Sequence, residues 1–291
     1  MYQKKSCINE QTNNNEKLLK YGINRMDNRK KVVEKIYIKH DEDVRLVDSR
    51  HGKLEYFTTM TYIHKYLKPG MKILEIGAGT GRYSIALAKE GYDITAVEYI
   101  KHNVSVLKKN AKGVKNISIY QGDSVDLSRF NSNSFDIVLN LGPMYHLYTE
   151  KDVNQAIDES IRVAKHNGVV MFAYLPVASF IFGCYMKGNL KFGLEENFDS
   201  SYNVIHYPEQ NFTGYEIKVF ENLFRDKGVK KLKSLTTDSI LNAVEDNPNF
   251  VMTDEDFELF KKYHLATCEK LEMQGIANHM LYICKKIKTD N

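Results

Sequence analysis

The chain has 291 residues, of which 43% are hydrophobic and 27% charged. It is therefore long enough to bury a sizeable core, and its composition is that of an ordinary globular protein. The net charge of +4 is spread along the chain and gives no basis for a nucleic-acid partner. Four cysteines form no CxxC pair and nine histidines fall at no metal-ligand spacing, so we expect reduced thiols, a cytoplasmic protein and no metal.

The chain begins with a polar segment, residues 1–28, that is rich in Asn and Lys. It has no apolar stretch after its charges, so we expect a flexible or partly helical segment rather than a secretion signal. A later run, residues 169–186, carries no charge and has the length of a membrane span. Pro176, Ser179 and Gly183 interrupt it, which favours a buried strand followed by a lid, without membrane insertion.

A regular alternation of elements follows the polar start. Apolar spacing predicts a helix over residues 54–67, and another that begins near Thr149 and ends before Gly168. Short apolar runs between helices predict strands at 72–76, 93–98, 116–120, 135–141 and 169–175. This order predicts parallel pairing in a doubly wound α/β fold, with residues 29–176 as a ligand-binding core.

The regular alternation of strands and helices ends after residue 176. We predict an irregular aromatic lid over 177–212 and the rest of the core over 213–291, which includes a second helical insertion at about 237–278. Strands at 229–235 and 280–286 complete a mostly parallel seven-stranded sheet with helices on both faces. The lid is expected to combine the insertions before and after the sixth strand with the N-terminal helix.

The stretch "ILEIGAGTGRYSIALA", residues 73–88, places three glycines between a strand and a helix. Glycines there let a ligand lie against the backbone, and the helix start favours an anionic group. They could also serve only to let the helix pack on the strand. A dinucleotide fingerprint would need glycine in place of Arg82, and a P-loop would need Lys there, so neither motif fits.

With Glu98 ending the second strand, Asp123 and Ser124 after the third, and "FDIVLNLGPMYHL" at the fourth, the chain resembles class I S-adenosylmethionine-dependent methyltransferases over residues 72–148. The resemblance implies S-adenosylmethionine as cofactor, with Glu98 on the ribose and Asp123 on the adenine amino group. It implies a cofactor site formed by Glu75, Gly77, Ala78, Gly79, Thr80, Gly81, Glu98, Tyr99, Gly122, Asp123, Ser124, Asn140, Leu141 and Gly142.

Methyl transfer from a sulfonium needs few catalytic groups, because the cofactor carries its own leaving group. The enzyme mainly holds the acceptor in line with the methyl group and excludes water. His146 is the candidate general base and Tyr145 could orient the acceptor, although His146 could equally pack against the cofactor or cap a helix. Glu75 more often supports the loop than touches substrate.

The acceptor is the least constrained feature. The segment "NLGPMY" lacks the Asn/Asp-Pro-Pro-aromatic motif of amino-methylating nucleic-acid enzymes, and no cysteine nucleophile follows the fourth strand. We therefore expect a methyltransferase acting on an oxygen or nitrogen of a small, partly apolar molecule. Two alternatives remain: an RNA methyltransferase that uses "LKKNAKGVK" and "VKKLK", or a non-catalytic S-adenosylmethionine-binding sensor or partner subunit.

Overall fold

The computed structural model describes the backbone of residues 25–39, 43–207, 210 and 212–288, and the side chains of these residues except 25–28, 38 and 39. Most of the predicted N-terminal segment, residues 1–24, lies outside the described residues.

A seven-stranded sheet forms the centre of the fold, in the order β3-β2-β1-β4-β5-β7-β6. The first five strands pair in parallel, and β7 runs antiparallel to both of its neighbours. The predicted doubly wound, mostly parallel sheet is thereby confirmed. The strands are β1 Lys72–Ile76, β2 Asp93–Glu98, β3 Ile117–Gln121, β4 Phe135–Asn140, β5 Ala164–Tyr174, β6 Val229–Thr236 and β7 Met280–Lys286.

Helices connect and surround these strands. They are α1 Arg25–Lys39, α2 Arg50–His64, α3 Arg82–Lys89, α4 Lys101–Asn110, α5 Glu150–Val163, α6 Val177–Gly183, α7 Leu190–Asn197, α8 Ile217–Asn222, α9 Leu241–Val244, α10 Asp254–Thr267 and α11 Leu271–Gln274. Short 3₁₀ turns lie at Pro143–His146 and Tyr185–Lys187. None of the helices in the described part of the chain combines the length and apolar character that a membrane crossing requires.

Hydrophobic residues on the two faces of the sheet form two cores. Leu74 and Val138 face α5 and pack with Ile157, whereas their neighbours Ile73 and Ile137 belong to the cluster that contains α2 and α3. Alternate residues of a strand point to opposite faces, so the central strands must be apolar throughout when both faces are covered. This explains why the sequence shows continuous apolar runs there.

Several element boundaries differ from the prediction. Helix α5 ends at Val163 and not near Gly168, because Ala164 pairs with Phe135 and extends β5 towards the N-terminus through a register shift. The helix predicted from residue 54 begins at Arg50, where the Ser49 side chain caps it. The second helical insertion, predicted at about 237–278, contains α9, α10 and α11. Residues 29–39, for which no helix was predicted, belong to α1.

Candidate functional site

A cleft opens at the carboxyl ends of β1, β2 and β4, with about 880 Å³ of space that includes the solvent at its open mouth. Strand β1 has β2 on one side and β4 on the other, so this is the point at which the strand order reverses and doubly wound sheets bind ligands. All predicted site residues line this cleft except Gly81 and Asn140: Glu75, Gly77, Ala78, Gly79, Thr80, Glu98, Tyr99, Gly122, Asp123, Ser124, Leu141, Gly142, Tyr145 and His146.

The glycine turn between β1 and α3 combines a packing function with an open surface. A Cβ on Gly81 would overlap the Leu107 side chain, so Gly81 allows α3 to approach α4. A Cβ on Gly77 would lie 2.7 Å from Pro143 Cδ, which brings the β1 and β4 loops together. A Cβ on Gly79 would meet no atom within 4 Å. Only the last of these three positions leaves room for a ligand, and the plainer packing explanation applies to Gly81.

Glu98 is buried at the end of β2 and holds the glycine turn in place. One carboxylate oxygen accepts a hydrogen bond from the Gly79 N–H at 2.9 Å, and the other accepts one from the Ile100 N–H at 2.8 Å. The Asn103 side-chain amide also donates to the second oxygen, at 3.4 Å. Glu98 thus fixes the loop and presents a charged acceptor to the cleft.

Glu75 is a buried carboxyl group below the same turn. Burial raises its pKa to about 8, although the Ser84 hydroxyl donates a hydrogen bond to it. The group is therefore largely protonated at neutral pH. A cation that entered the cleft beside it would favour its ionised form.

Asp123 forms an ion pair with Arg29, which lies on α1 and reaches into the cleft. The Arg29 guanidinium also lies over the Tyr99 ring, 5.0 Å from the ring centroid. These three side chains close one end of the cleft.

His146 and Tyr145 lie at the opposite end, in the 3₁₀ turn after β4. The Tyr37 hydroxyl, from α1, is 2.9 Å from His146 Nε2. The His146 ring also packs against the rings of Tyr145 and Phe212, with centroids 5.0 and 5.1 Å away. The Tyr145 hydroxyl donates a hydrogen bond to the Leu141 carbonyl at 3.2 Å. A ring nitrogen held by a hydroxyl is a group that could accept or donate a proton at this end of the cleft.

Asn140 turns its side chain away from the cleft. Its amide nitrogen donates to the Ser160 hydroxyl on α5 at 3.2 Å. The side-chain oxygen is buried without a hydrogen-bond partner among the described residues. Any contribution of Asn140 to a ligand would have to come from its backbone.

Helix α1 and the segment after it contribute further residues to the cleft, which no motif in the sequence predicts. Arg29, Val33 and Tyr37 line it from α1, and Arg45 and Leu46 line it just before α2. Val33, Ile36 and Tyr37 are spaced as one helix face, which is the signal that could have indicated α1. Its position over the cleft is a tertiary contact without any local signal.

A second charged cluster lies beside the cleft. Glu55, Asp238 and His279 bring ligand-type atoms within 4.8 Å of one another, which is a spacing that could hold a metal ion. Each of these side chains already has a partner within the protein. Glu55 accepts a hydrogen bond from Arg45 at 2.7 Å. Asp238 accepts one from His279 Nδ1 at 2.8 Å and two from backbone N–H groups. Burial would lower the pKa of His279, but the two carboxylates raise it. The cluster is therefore a buried network of ion pairs.

Comparisons with known proteins agree with the fold and the glycine turn. The model of a methyltransferase domain family matches residues 74–172. The glycine/sarcosine N-methyltransferase of Parasynechococcus marenigrum is 32% identical over 101 residues, which are 34% of this chain and 36% of that protein. The demethylmenaquinone methyltransferase of Staphylococcus aureus is 30% identical over 129 residues, which are 42% of this chain and 52% of that protein. The chain thus spans about a third to a half of the length of these relatives.

Among solved structures, an S-adenosylmethionine-dependent methyltransferase from Thermotoga maritima, described as a possible histamine N-methyltransferase, has a similar fold. The TM-score is 0.54 at 16% identity, over 89% of this chain and 100% of that chain. A doubly wound sheet with a glycine turn at its switch point defines a nucleotide-type binding fold. The sequence match is to a methyltransferase domain over residues 74–172, and the likeness to the Thermotoga maritima structure is one of fold.

Proposed function

We propose that this protein transfers a methyl group from S-adenosylmethionine to an oxygen or nitrogen of a small, partly apolar molecule by in-line displacement. One observation carries the proposal. The cleft that contains the predicted cofactor residues continues to Tyr145 and His146, and α1 covers it along that length through Arg29, Val33 and Tyr37.

The residues present fit the cofactor. Glu98 would accept hydrogen bonds from the ribose, Asp123 would meet the adenine amino group beside Tyr99, and the turn at Gly79 would hold the methionine end. The protonated Glu75 carboxyl lies where the cofactor's ammonium would favour its ionisation. When bound, the cofactor supplies an activated methyl group on a sulfonium.

The other residues of the cleft would orient the acceptor and exclude water. Tyr145 and His146 lie at the end of the cleft where the acceptor would enter. If the acceptor arrives protonated, His146 would take its proton through the Tyr37 hydroxyl, which lies 2.9 Å from Nε2 and would pass the proton to that nitrogen. An aromatic wall of Tyr37, Tyr145 and His146 suits a partly apolar acceptor.

The position of the basic segments favours a small molecule over RNA. One Lys-rich segment, residues 107–115, leads into edge strand β3, and the other, residues 229–233, lies in the opposite edge strand β6. Six interstrand spacings of about 4.8 Å separate these edges by roughly 30 Å. The two segments therefore do not form one continuous basic surface beside the cleft.

The proposal is tested in two steps. First, thermal melts with S-adenosylmethionine, S-adenosylhomocysteine and NAD should show stabilisation by the two sulfur nucleosides only. Ligand at a hundred times its dissociation constant adds about 2.7 kcal/mol, which raises the midpoint by several degrees. Stabilisation by NAD alone, or by none of the three, would contradict the cofactor assignment.

Second, methyl-labelled S-adenosylmethionine should be incubated with panels of small amines, phenols and carboxylates, and with total RNA. Label transfer to a small acceptor is expected, and His146→Ala should slow that transfer with little effect on cofactor affinity. Transfer to RNA, with affinity that falls steeply with salt, would establish the RNA alternative instead. Cofactor binding without transfer to any acceptor would favour the sensor alternative.

A further inference from the structure

Arg29 occupies the end of the cleft that is assigned to adenine. Its side chain is only 8% exposed and donates from a guanidinium N–H to Asp123, whose side chain is 14% exposed. The same guanidinium lies over the Tyr99 ring at 5.0 Å. Arg29 therefore contacts both Asp123 and Tyr99, the two residues that would recognise the base.

The guanidinium and the adenine amino edge have similar chemistry. Both are planar, both present N–H donors to a carboxylate, and both stack on an aromatic ring. Asp123 and Tyr99 thus offer one recognition surface to two competing groups. We propose that Arg29 is an internal occupant of the adenine subsite and that the cofactor must displace it to bind. This inference rests on the proposed cofactor.

The rest of α1 holds Arg29 at this position. Val33 and Ile36 are buried, and Tyr37 reaches His146 at the other end of the cleft. Arg29, Val33 and Tyr37 recur every four residues, so they share one helix face that extends about 12 Å at 1.5 Å per residue. The helix is fixed at both ends of the cleft, which keeps the guanidinium in the subsite when no ligand is bound.

Occupation of the adenine subsite by Arg29 lowers the apparent affinity of the protein for the cofactor. If only a fraction of molecules has the subsite open, the apparent dissociation constant equals the intrinsic one divided by that fraction. Removal of the guanidinium should therefore strengthen cofactor binding. An arginine that instead made a favourable contact with bound cofactor would have the opposite effect, so the sign of the change decides between the two.

The test is calorimetric titration of the full chain with S-adenosylhomocysteine and with 5′-methylthioadenosine. Arg29→Ala should bind both probes about 10- to 1,000-fold more tightly than wild type, because a minor open state is typically populated at about 0.1 to 10%. The same gain is expected with methylthioadenosine, because it keeps the adenine but lacks the amino-acid end. Arg29→Lys should give a smaller gain, since lysine keeps the charge without the planar fork. Lys31→Ala removes one charge from the exposed face of the same helix and is the matched control, with unchanged affinity.

Equal or weaker binding by Arg29→Ala would overturn the inference, as would a gain of the same size in Lys31→Ala. A gain confined to S-adenosylhomocysteine would also overturn it, because the effect would then arise away from the adenine end. If neither wild type nor Arg29→Ala binds either probe, the proposed cofactor itself is wrong. Binding by Arg29→Ala alone would support complete occlusion in the wild type.

Discussion

Glu98 connects the glycine turn to the end of β2 and is also the proposed ribose acceptor. Its two oxygens hold the Gly79 and Ile100 N–H groups, so the residue contributes to loop shape before any ligand arrives. An alanine substitution would remove the contacts with the loop and the proposed contact with the ribose at the same time. A substitution of equal size keeps the side-chain packing and one of the two backbone hydrogen bonds.

Glu98→Gln should weaken S-adenosylmethionine binding by about 10- to 150-fold, because charge-assisted hydrogen bonds contribute about 1.5 to 3 kcal/mol. Calorimetry measures the change, and circular dichroism checks that the fold is retained. Glu90→Gln, at an exposed glutamate that ends α3, is the control and should bind like wild type. Unchanged affinity in Glu98→Gln would show that this carboxylate does not hold the ribose.

Glu75 makes stability depend on pH. Its folded pKa of about 8 lies above the ordinary value of 4.5, so the folded state binds more protons than the unfolded state between these values. The free energy of unfolding therefore falls as pH rises through this window. Glu75→Gln removes the titration. Between pH 5 and pH 9 the free energy of unfolding should therefore fall in wild type relative to the variant, by on the order of a few kcal/mol. Urea denaturation of both proteins at each pH measures this difference. A difference that does not change with pH would contradict the shifted pKa.

At the scale of elements, the contact between α3 and α4 depends on Gly81. Its φ of 95° is unfavourable for other residues, and a Cβ would also overlap Leu107. Gly91, at the other end of α3, has a φ of 97° but an open position with no atom within 4 Å of a Cβ. A side chain would therefore cause the same backbone strain at both positions, but it would overlap a neighbouring side chain only at Gly81.

Gly81→Ala should lower the free energy of unfolding by more than Gly91→Ala does. Both lose about 1 to 2 kcal/mol through the positive φ, and only Gly81→Ala adds about 1 to 3 kcal/mol of overpacking. Denaturant unfolding of both variants gives the difference. Equal losses would show that Leu107 moves aside without penalty and that α3 does not need this glycine for packing.

The sequence predicted the strands well and the helices less well. Strand β1 and strand β2 begin and end where predicted, because each is an apolar run bounded by turn residues. Strand β5 begins five residues early at Ala164, because its pairing with Phe135 is a contact with another strand and has no local signal. Helix α1 was missed for a related reason. Its apolar face is short, and packing over the cleft is what a helix of this length usually needs for stability.

At the scale of the whole molecule, the two ends of the cleft depend on contacts between distant parts of the chain. Arg29 and Asp123 are 94 residues apart, and Tyr37 and His146 are 109 apart. The resemblance in the sequence predicted Asp123 because it follows a strand in a known order. It could not predict Arg29, because no spacing rule connects that residue to the site. The cleft-lining residues at the strand ends were therefore predictable from the sequence, whereas those that α1 places over the cleft were not.

The buried network of Glu55, Asp238, His279 and Arg45 joins α2 to the ends of β6 and β7. The pKa of His279 is raised above its ordinary value of 6.5 by the carboxylates. A raised histidine pKa gives stability that is fully present below about pH 6.5 and is lost as pH rises through the folded pKa. The network therefore stabilises the junction of α2 with the sheet most strongly in mildly acidic solution.

Asp238→Asn tests this network while keeping its shape. The asparagine oxygen can still accept from the Asn278 and His279 N–H groups, but the amide cannot favour a protonated His279 ring. The variant should be less stable than wild type by about 1.5 to 3 kcal/mol at pH 6, because it loses a hydrogen bond between charged groups. That difference should shrink as pH rises to 9, where wild-type His279 also loses its proton. Glu75 titrates in both proteins, so its contribution cancels in the difference. A difference that stays constant from pH 6 to pH 9 would mean that His279 is neutral throughout and that the network is held by Arg45 alone.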